Sequence, residues 1–165
     1  MAIYLMIAFG EMRKVIPPYI LAVITILTML FDIAIPAGMY GLWMSINPTI
    51  QVNSIFVIAI LTTIGYSIND TIIILDRIKE NTIAQLEEKQ HNQPIEQLIN
   101  TSIRQTMRRS LGTSFSTLIV VIALYIFGTG VIQEFAFVIG WGIVAGTFSS
   151  VFIAANLLYV MTRKS

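Results

Sequence analysis

No cysteine occurs among the 165 residues, which excludes disulfides, thiolate catalysis and Cys-based zinc sites. Histidine is nearly absent: His91 stands alone in a polar stretch and reads as a solvated loop residue. Charge is scarce as well. Asp, Glu, Lys and Arg make up 12% of the chain, about half the share usual in soluble domains. The net charge of +1 leaves no electrostatic footprint for nucleic acid, so none is expected as a partner. No G-x-x-x-x-G-K-[ST] phosphate loop is present, which rules out ATP hydrolysis by that route. Neither a metal-ligand cluster nor a Ser/His/Asp arrangement occurs, so the chain does not read as an enzyme and needs no cofactor. Any energy source would be an ion gradient or a partner subunit.

Apolar residues dominate instead, at 56% of the chain, with a mean hydropathy of +0.79. A 165-residue soluble domain exposes too much surface to carry so few charges. The apolar runs are continuous rather than alternating, which argues against a β-barrel. The expected fold class is all-α: a polytopic transmembrane helix bundle embedded in the lipid bilayer, with spans at 15–44, 52–76, 110–127 and 131–161.

Residues 1–10 are apolar but reach only half of the ~20 residues a span needs. They lack a basic start, and Gly10-Glu11-Met12-Arg13 is a poor cleavage site. They read as the C-terminal half of a truncated span, or as an interfacial stub. Pro17 and Pro18 suit a first helical turn. Pro36 and Gly38 predict a kink or break near one end of the first full span. Segment 77–109 is the hydrophilic stretch and is expected to be a cytoplasmic loop with an amphipathic helix. After Pro94, the spacing of Ile95, Leu98, Ile99, Ile103 and Met107 predicts an amphipathic helix, at the membrane surface or against the spans. Gly142, Gly146 and Ser150 repeat every four residues, a small-residue face for close helix packing.

All ten Lys and Arg fall at 13–14, 77–109 and 163–164. With four spans between the outer groups, every basic segment lands on one side, which the positive-inside rule makes cytoplasmic.

Intramembrane charge then reduces to Asp32 and Asp70, with Arg108 and Arg109 at the mouth of the third span. Asp70 lies seven residues before Arg77, about 10 Å into the membrane. Arg109 can extend toward that depth along its apolar stem. Burial and a guanidinium pull such a carboxyl in opposite directions, so the pair could exchange a proton as helix packing changes. The alternative is a fixed structural pair, or a hydrogen bond to Asn69, Thr71 or a Ser/Thr of a neighbouring span. Asp32 carries the same two readings.

The run Gly65-Tyr66-Ser67-Ile68-Asn69-Asp70-Thr71-Ile72-Ile73-Ile74-Leu75-Asp76-Arg77-Ile78-Lys79-Glu80-Asn81 closely resembles the signature of the SecF family. SecF is the smaller membrane subunit of the bacterial SecDF protein-export accessory complex, of the resistance–nodulation–division superfamily. The resemblance continues from Asn100 to Ser114 and through Gly146-Thr147-Phe148-Ser149-Ser150. It implies a multi-pass inner-membrane subunit that couples the proton motive force to protein translocation. A SecD-like subunit and a SecY-type channel would be its partners, with the exported polypeptide engaged indirectly. By resemblance, Asp70 and Arg109 form the proton relay, Asp32 supports it, and protons are the coupling ion.

Three departures stand out. Phe31 replaces a histidine common in the family, Ile132-Gln133-Glu134-Phe135 replaces its Leu-Arg-Gly-Phe, and the first span and periplasmic domain of SecF have no counterpart here. A shortened form is therefore expected. A proton-coupled small-solute transporter of the same superfamily and a structural fragment without transport remain as alternatives.

Overall fold

The computed structural model describes residues 18–88, 95–154 and 157. Four long helices follow one another: α1 (Pro18–Ile46), α2 (Ser54–Glu88), α3 (Ile95–Phe127) and α4 (Val131–Phe148). A π-helical turn, Ser149–Ala154, carries α4 onward. Each of the four is long and apolar enough to cross a bilayer, and the chain is a multi-pass membrane protein. The half-span expected at residues 1–10 lies outside the described residues, as does most of 155–161.

Pro36 does not break α1. The helix runs unbroken from Pro18 to Ile46 with Pro36 inside it and buried. Without an N–H, Pro36 offers no donor to the carbonyl four residues back, that of Asp32. Membrane helices tolerate this where neighbouring helices enclose the freed group.

The hydrophilic stretch also differs from expectation. It is not a loop carrying a separate surface helix: α2 continues to Glu88, and Ile95 already belongs to α3. At 35 residues, α2 is about 52 Å long and overshoots a hydrocarbon core of about 30 Å. Polar cross-links join the overshooting ends. Arg77 Nε donates to Gln105 Oε1 at 2.7 Å, and Asn81 Nδ2 donates to Ser102 Oγ at 2.7 Å. The apolar face of the segment after Pro94 packs against the other helices, with Leu98 and Ile99 buried beside Ile74, Leu75 and Ile78.

Helix α4 is the hub, packing against α1, α2 and α3. Its small residues permit this. A Cβ at Gly142 would stand 2.8 Å from Thr63 Cβ, and one at Gly146 would stand 3.0 Å from Ser67 Cβ.

Two apolar clusters divide the interior. One, at the basic end, joins Ile20, Leu21 and Ile24 to Ile74, Leu75, Ile78, Leu98, Ile99 and Val151. The other, at the turn end, joins Tyr40, Ala59 and Val121 to Ala136, Val138, Ile139 and Ile143. On every helix the stretch between these two clusters carries the buried polar residues: Thr25, Thr28 and Asp32; Thr63, Ser67, Asp70 and Thr71; Ser102, Thr106, Ser110 and Ser114; and Ser149 and Ser150, next to Val151 of the basic-end cluster.

A clasp closes the turn end. Asn53 caps α2 by accepting from the Ile55 and Phe56 amides, each at 3.0 Å. Its amide nitrogen donates to Glu134 Oε2 at 3.1 Å, where Tyr40 Oη also donates at 3.0 Å. Glu134, one of the departures from the SecF pattern, thus ties α4 to α1 and to the start of α2.

Candidate functional site

The polar layer exists because Ser and Thr recur at helical spacing toward the centre. On α3, Ser102, Thr106, Ser110 and Ser114 repeat every four residues and are all buried. On α2, Thr63, Ser67, Asp70 and Thr71 form one inward stripe. Several hydroxyls of the layer bond a carbonyl of the preceding turn: Thr25 and Thr28 on α1, and Ser102 and Thr106 on α3. A polar group can then sit in an apolar bundle without being left unpaired.

Asp32, on α1, is fully buried. Ser67 Oγ of α2 donates to its Oδ2, and Ser149 of the π-helical turn lies beside the same carboxyl. Among the described residues, its other oxygen, Oδ1, has no partner, and neither has the buried Thr63 hydroxyl one turn from Ser67. Asp70, on α2, is 2% exposed. It accepts from Ser110 Oγ of α3 at 2.8 Å, with Ser114 next to it. Ser114 extends the network: Tyr66 Oη lies 3.2 Å and Thr147 Oγ1 2.7 Å from its hydroxyl. Ser67 and Asp70 are three residues apart on α2, about 4.5 Å along the axis. One turn of α2 therefore connects the carboxyl of α1, which also faces the π-helical turn, to a carboxyl facing α3.

The expected ion pair between Asp70 and Arg109 is not formed. The Arg109 side chain is exposed, and Asp70 is held by Ser110, the residue after Arg109. Consecutive residues point about 100° apart around a helix, so turning Ser110 and Ser114 inward directs Arg109 away. Asn69 is likewise exposed, whereas Thr71 is buried beside Asp70. Of the small-residue face, Gly142 and Gly146 meet α2, and Ser150 is buried in the π-helical turn. The alternative, a hydrogen bond to a Ser or Thr of a neighbouring span, is the one seen at Asp70, while charge alone singles out none of Ser67, Ser110, Ser114 and Ser149. The signal that locates them is the four-residue repeat of hydroxyls, not any charged partner.

Chemically, the arrangement is a pair of buried carboxyls bound by hydroxyls instead of cations. A hydroxyl can donate to a carboxylate or, after rotation, accept from a carboxylic acid. Ser67 and Ser110 can thus partner either protonation state without moving the backbone. Among the described residues, no group of His, Cys, Asp and Glu could hold a metal ion.

The family model for protein export membrane protein SecD/SecF, C-terminal, matches residues 1–164. A protein translocase subunit SecF of Thermobaculum terrenum is 36% identical over 161 residues, covering 98% of this chain and 48% of that protein. One from Desulfurispirillum indicum is 43% identical over 136 residues, covering 82% of this chain and 41% of its relative. A protein translocase subunit SecDF of Thermus thermophilus is 42% identical over 139 residues, covering 82% of this chain and 17% of that protein. The chain spans less than half the length of these relatives.

Proposed function

From the premise that this chain belongs to the SecD/SecF C-terminal family of protein export membrane proteins, we propose that its polar layer relays protons to drive a late step of protein translocation. Asp70 is the central proton-carrying group. The supporting observation is its complete burial on a hydroxyl of a different helix, Ser110. A proton arriving at or leaving Asp70 reverses the direction of that hydrogen bond, so the packing of α2 against α3 responds to protonation. Asp32 and Ser67 play the same part between α1 and α2, next to the π-helical turn of α4. Such turns recur at functional sites because they hold backbone groups that an α-helix would pair differently.

Arg109 takes its role from outside the chain. It is directed outward on α3, where a SecD-like subunit would meet it; the fused SecDF relatives carry both names in one polypeptide. A SecY-type channel is the larger assembly's remaining component, and the exported chain is moved by parts beyond these helices. The basic ends face the cytoplasm, in a bacterial inner membrane.

Asp70→Asn tests the reading in the complete SecD/SecF-type complex. The variant still inserts and assembles, while proton uptake by proteoliposomes and stimulation of export both fall to background. Export at the unsubstituted rate would refute the relay.

A further inference from the structure

An apolar groove of about 760 Å³ lies between α3 and the α4 end, with Ser114 and Thr147 of the polar layer at its floor. Leu111, Phe115 and Leu118 form one wall, and Val144, Phe148 and Phe152 form the other. Met107 closes its basic end and is shared with a second, polar concavity of about 560 Å³. Gln97, Asn100, Thr101 and Arg104 line that one. From Met107 to Leu118 the groove runs eleven residues along α3, about 16 Å. That is the depth of one leaflet, half of a hydrocarbon core of about 30 Å.

Charge at the mouth agrees with this depth. Arg104, Arg108, Leu111 and Phe115 follow one another at i, i+4, i+7 and i+11, on a single exposed face. Neither arginine makes an ion pair or a hydrogen bond to a described residue. Arg77, by contrast, is occupied by Glu80 and Gln105. The acidic residue nearest to Arg104 on α3 is Glu96, eight residues and about 12 Å away. Arg104 lines the polar concavity and Arg108 follows one turn along the same face, both without an ionic partner among the described residues and both at the head of an apolar channel one leaflet deep.

We infer that this is a binding site for one anionic phospholipid of the leaflet at the basic end. Arg104 and Arg108 hold the headgroup phosphate, and an acyl chain lies between Phe115 and Phe148. Arginine suits this because its donor fork matches phosphate oxygens in pairs. A helix of another subunit is the less favoured occupant. It would have to fill the shallower continuation beyond Leu118 and Val144 as well, a cleft of about 330 Å³, and bring an acid to the arginines. The site is separate from Arg109, which lies about 100° around α3 from Arg108.

The test uses the full chain with Trp43→Phe, Trp141→Phe and Phe148→Trp, so that one indole reports from the groove. In phosphatidylcholine vesicles, phosphatidylglycerol with brominated acyl chains quenches this reporter at about fivefold lower mole fraction than brominated phosphatidylcholine, the selectivity of one basic residue at an anionic surface. Arg104→Gln with Arg108→Gln removes the preference; Arg104→Lys with Arg108→Lys keeps most of it. Native mass spectrometry of the unsubstituted chain, exchanged from mixed micelles, retains one phosphatidylglycerol and needs no reporter. Equal quenching by both lipids, with no retained anionic lipid, overturns the proposal. Loss of quenching on addition of a SecD-like subunit overturns it too and assigns the groove to a protein helix.

Discussion

Replacing Gly142 with alanine should destabilise the bundle, and the structure says by how much and why. A Cβ there would overlap three Thr63 side-chain atoms, the farthest of them, Cβ, at 2.8 Å. Thr63 is branched and buried to 1% exposure, so it cannot swing clear. Overpacking by one methyl costs about 1–3 kcal/mol, and a clash with a branch carbon belongs at the upper end. Alanine gains about 1 kcal/mol of helix propensity over glycine. The net expectation is a loss of about 2 kcal/mol. Gly140→Ala is the internal control: its Cβ would stand 3.5 Å from Val121 Cγ1, an ordinary contact, so it should be neutral or stabilising by up to about 1 kcal/mol. Thr63→Ala supplies the second arm. Its hydroxyl is buried without a partner, so removing it alone should be near neutral. Combined with Gly142→Ala it removes two of the three overlapping atoms, and about half of the loss should return as a coupling energy. Unfolding of the purified chain in mixed micelles, followed by tryptophan fluorescence, measures all four. Equal stability of the Gly140 and Gly142 variants would refute the packing of α4 on α2, as would strict additivity with Thr63→Ala.

Two further expectations concern opposite ends of the molecule. Glu134→Ala strips the acceptor from Tyr40 and Asn53 at the turn end and should cost about 2–3 kcal/mol in the same assay, since hydrogen bonds to charged groups are the stronger ones; a change below about 0.5 kcal/mol would show the clasp to be incidental. Arg109→Gln should leave the isolated chain within about 0.5 kcal/mol of its original stability, as expected for an exposed side chain without a partner, while lowering proton uptake by the complete complex. Destabilisation of the isolated chain would instead place Arg109 inside the bundle.

The spans were legible in the sequence because their signal is summed over twenty or more residues, and no local preference outweighs it. The ends were not. Segment 77–88 reads as a loop by hydropathy, yet it extends α2 because Ile78 and Thr82 keep the inward stripe going and Asn81 finds Ser102 across the gap. Pro36 reads as a break, yet α1 passes through it because Tyr40 beyond it is anchored by Phe56, with ring centroids 4.6 Å apart, and by Glu134. Tertiary contacts decide both cases, and no window of one helix contains them. Between the two partners considered for Asp70, a guanidinium and a hydroxyl of a neighbouring span, the choice rests on a related contact. Opposite charge suggested Arg109, but the inward phase of α3 is set by Leu98, Ser102, Thr106 and Ser110 together. That phase leaves an arginine at 109 facing out.

The position of the two carboxyls follows from the same bookkeeping of faces. Apolar clusters above and below pin all four helices at both ends, and the hydroxyl layer between them holds the helices through hydrogen bonds that can reverse direction. Asp32 meets Ser67 within that layer, beside the contact of Ser67 with Gly146; Asp70 meets Ser110 one turn further along. A change of protonation at either carboxyl acts on a contact between helices rather than within one. Placed in either apolar cluster, the same carboxyl would lack hydroxyl partners and destabilise the fold. Placed in the overshooting polar ends, it would titrate in water without moving anything. Among the described residues, the middle layer is where a fully buried carboxyl of one helix is bound by a hydroxyl of another.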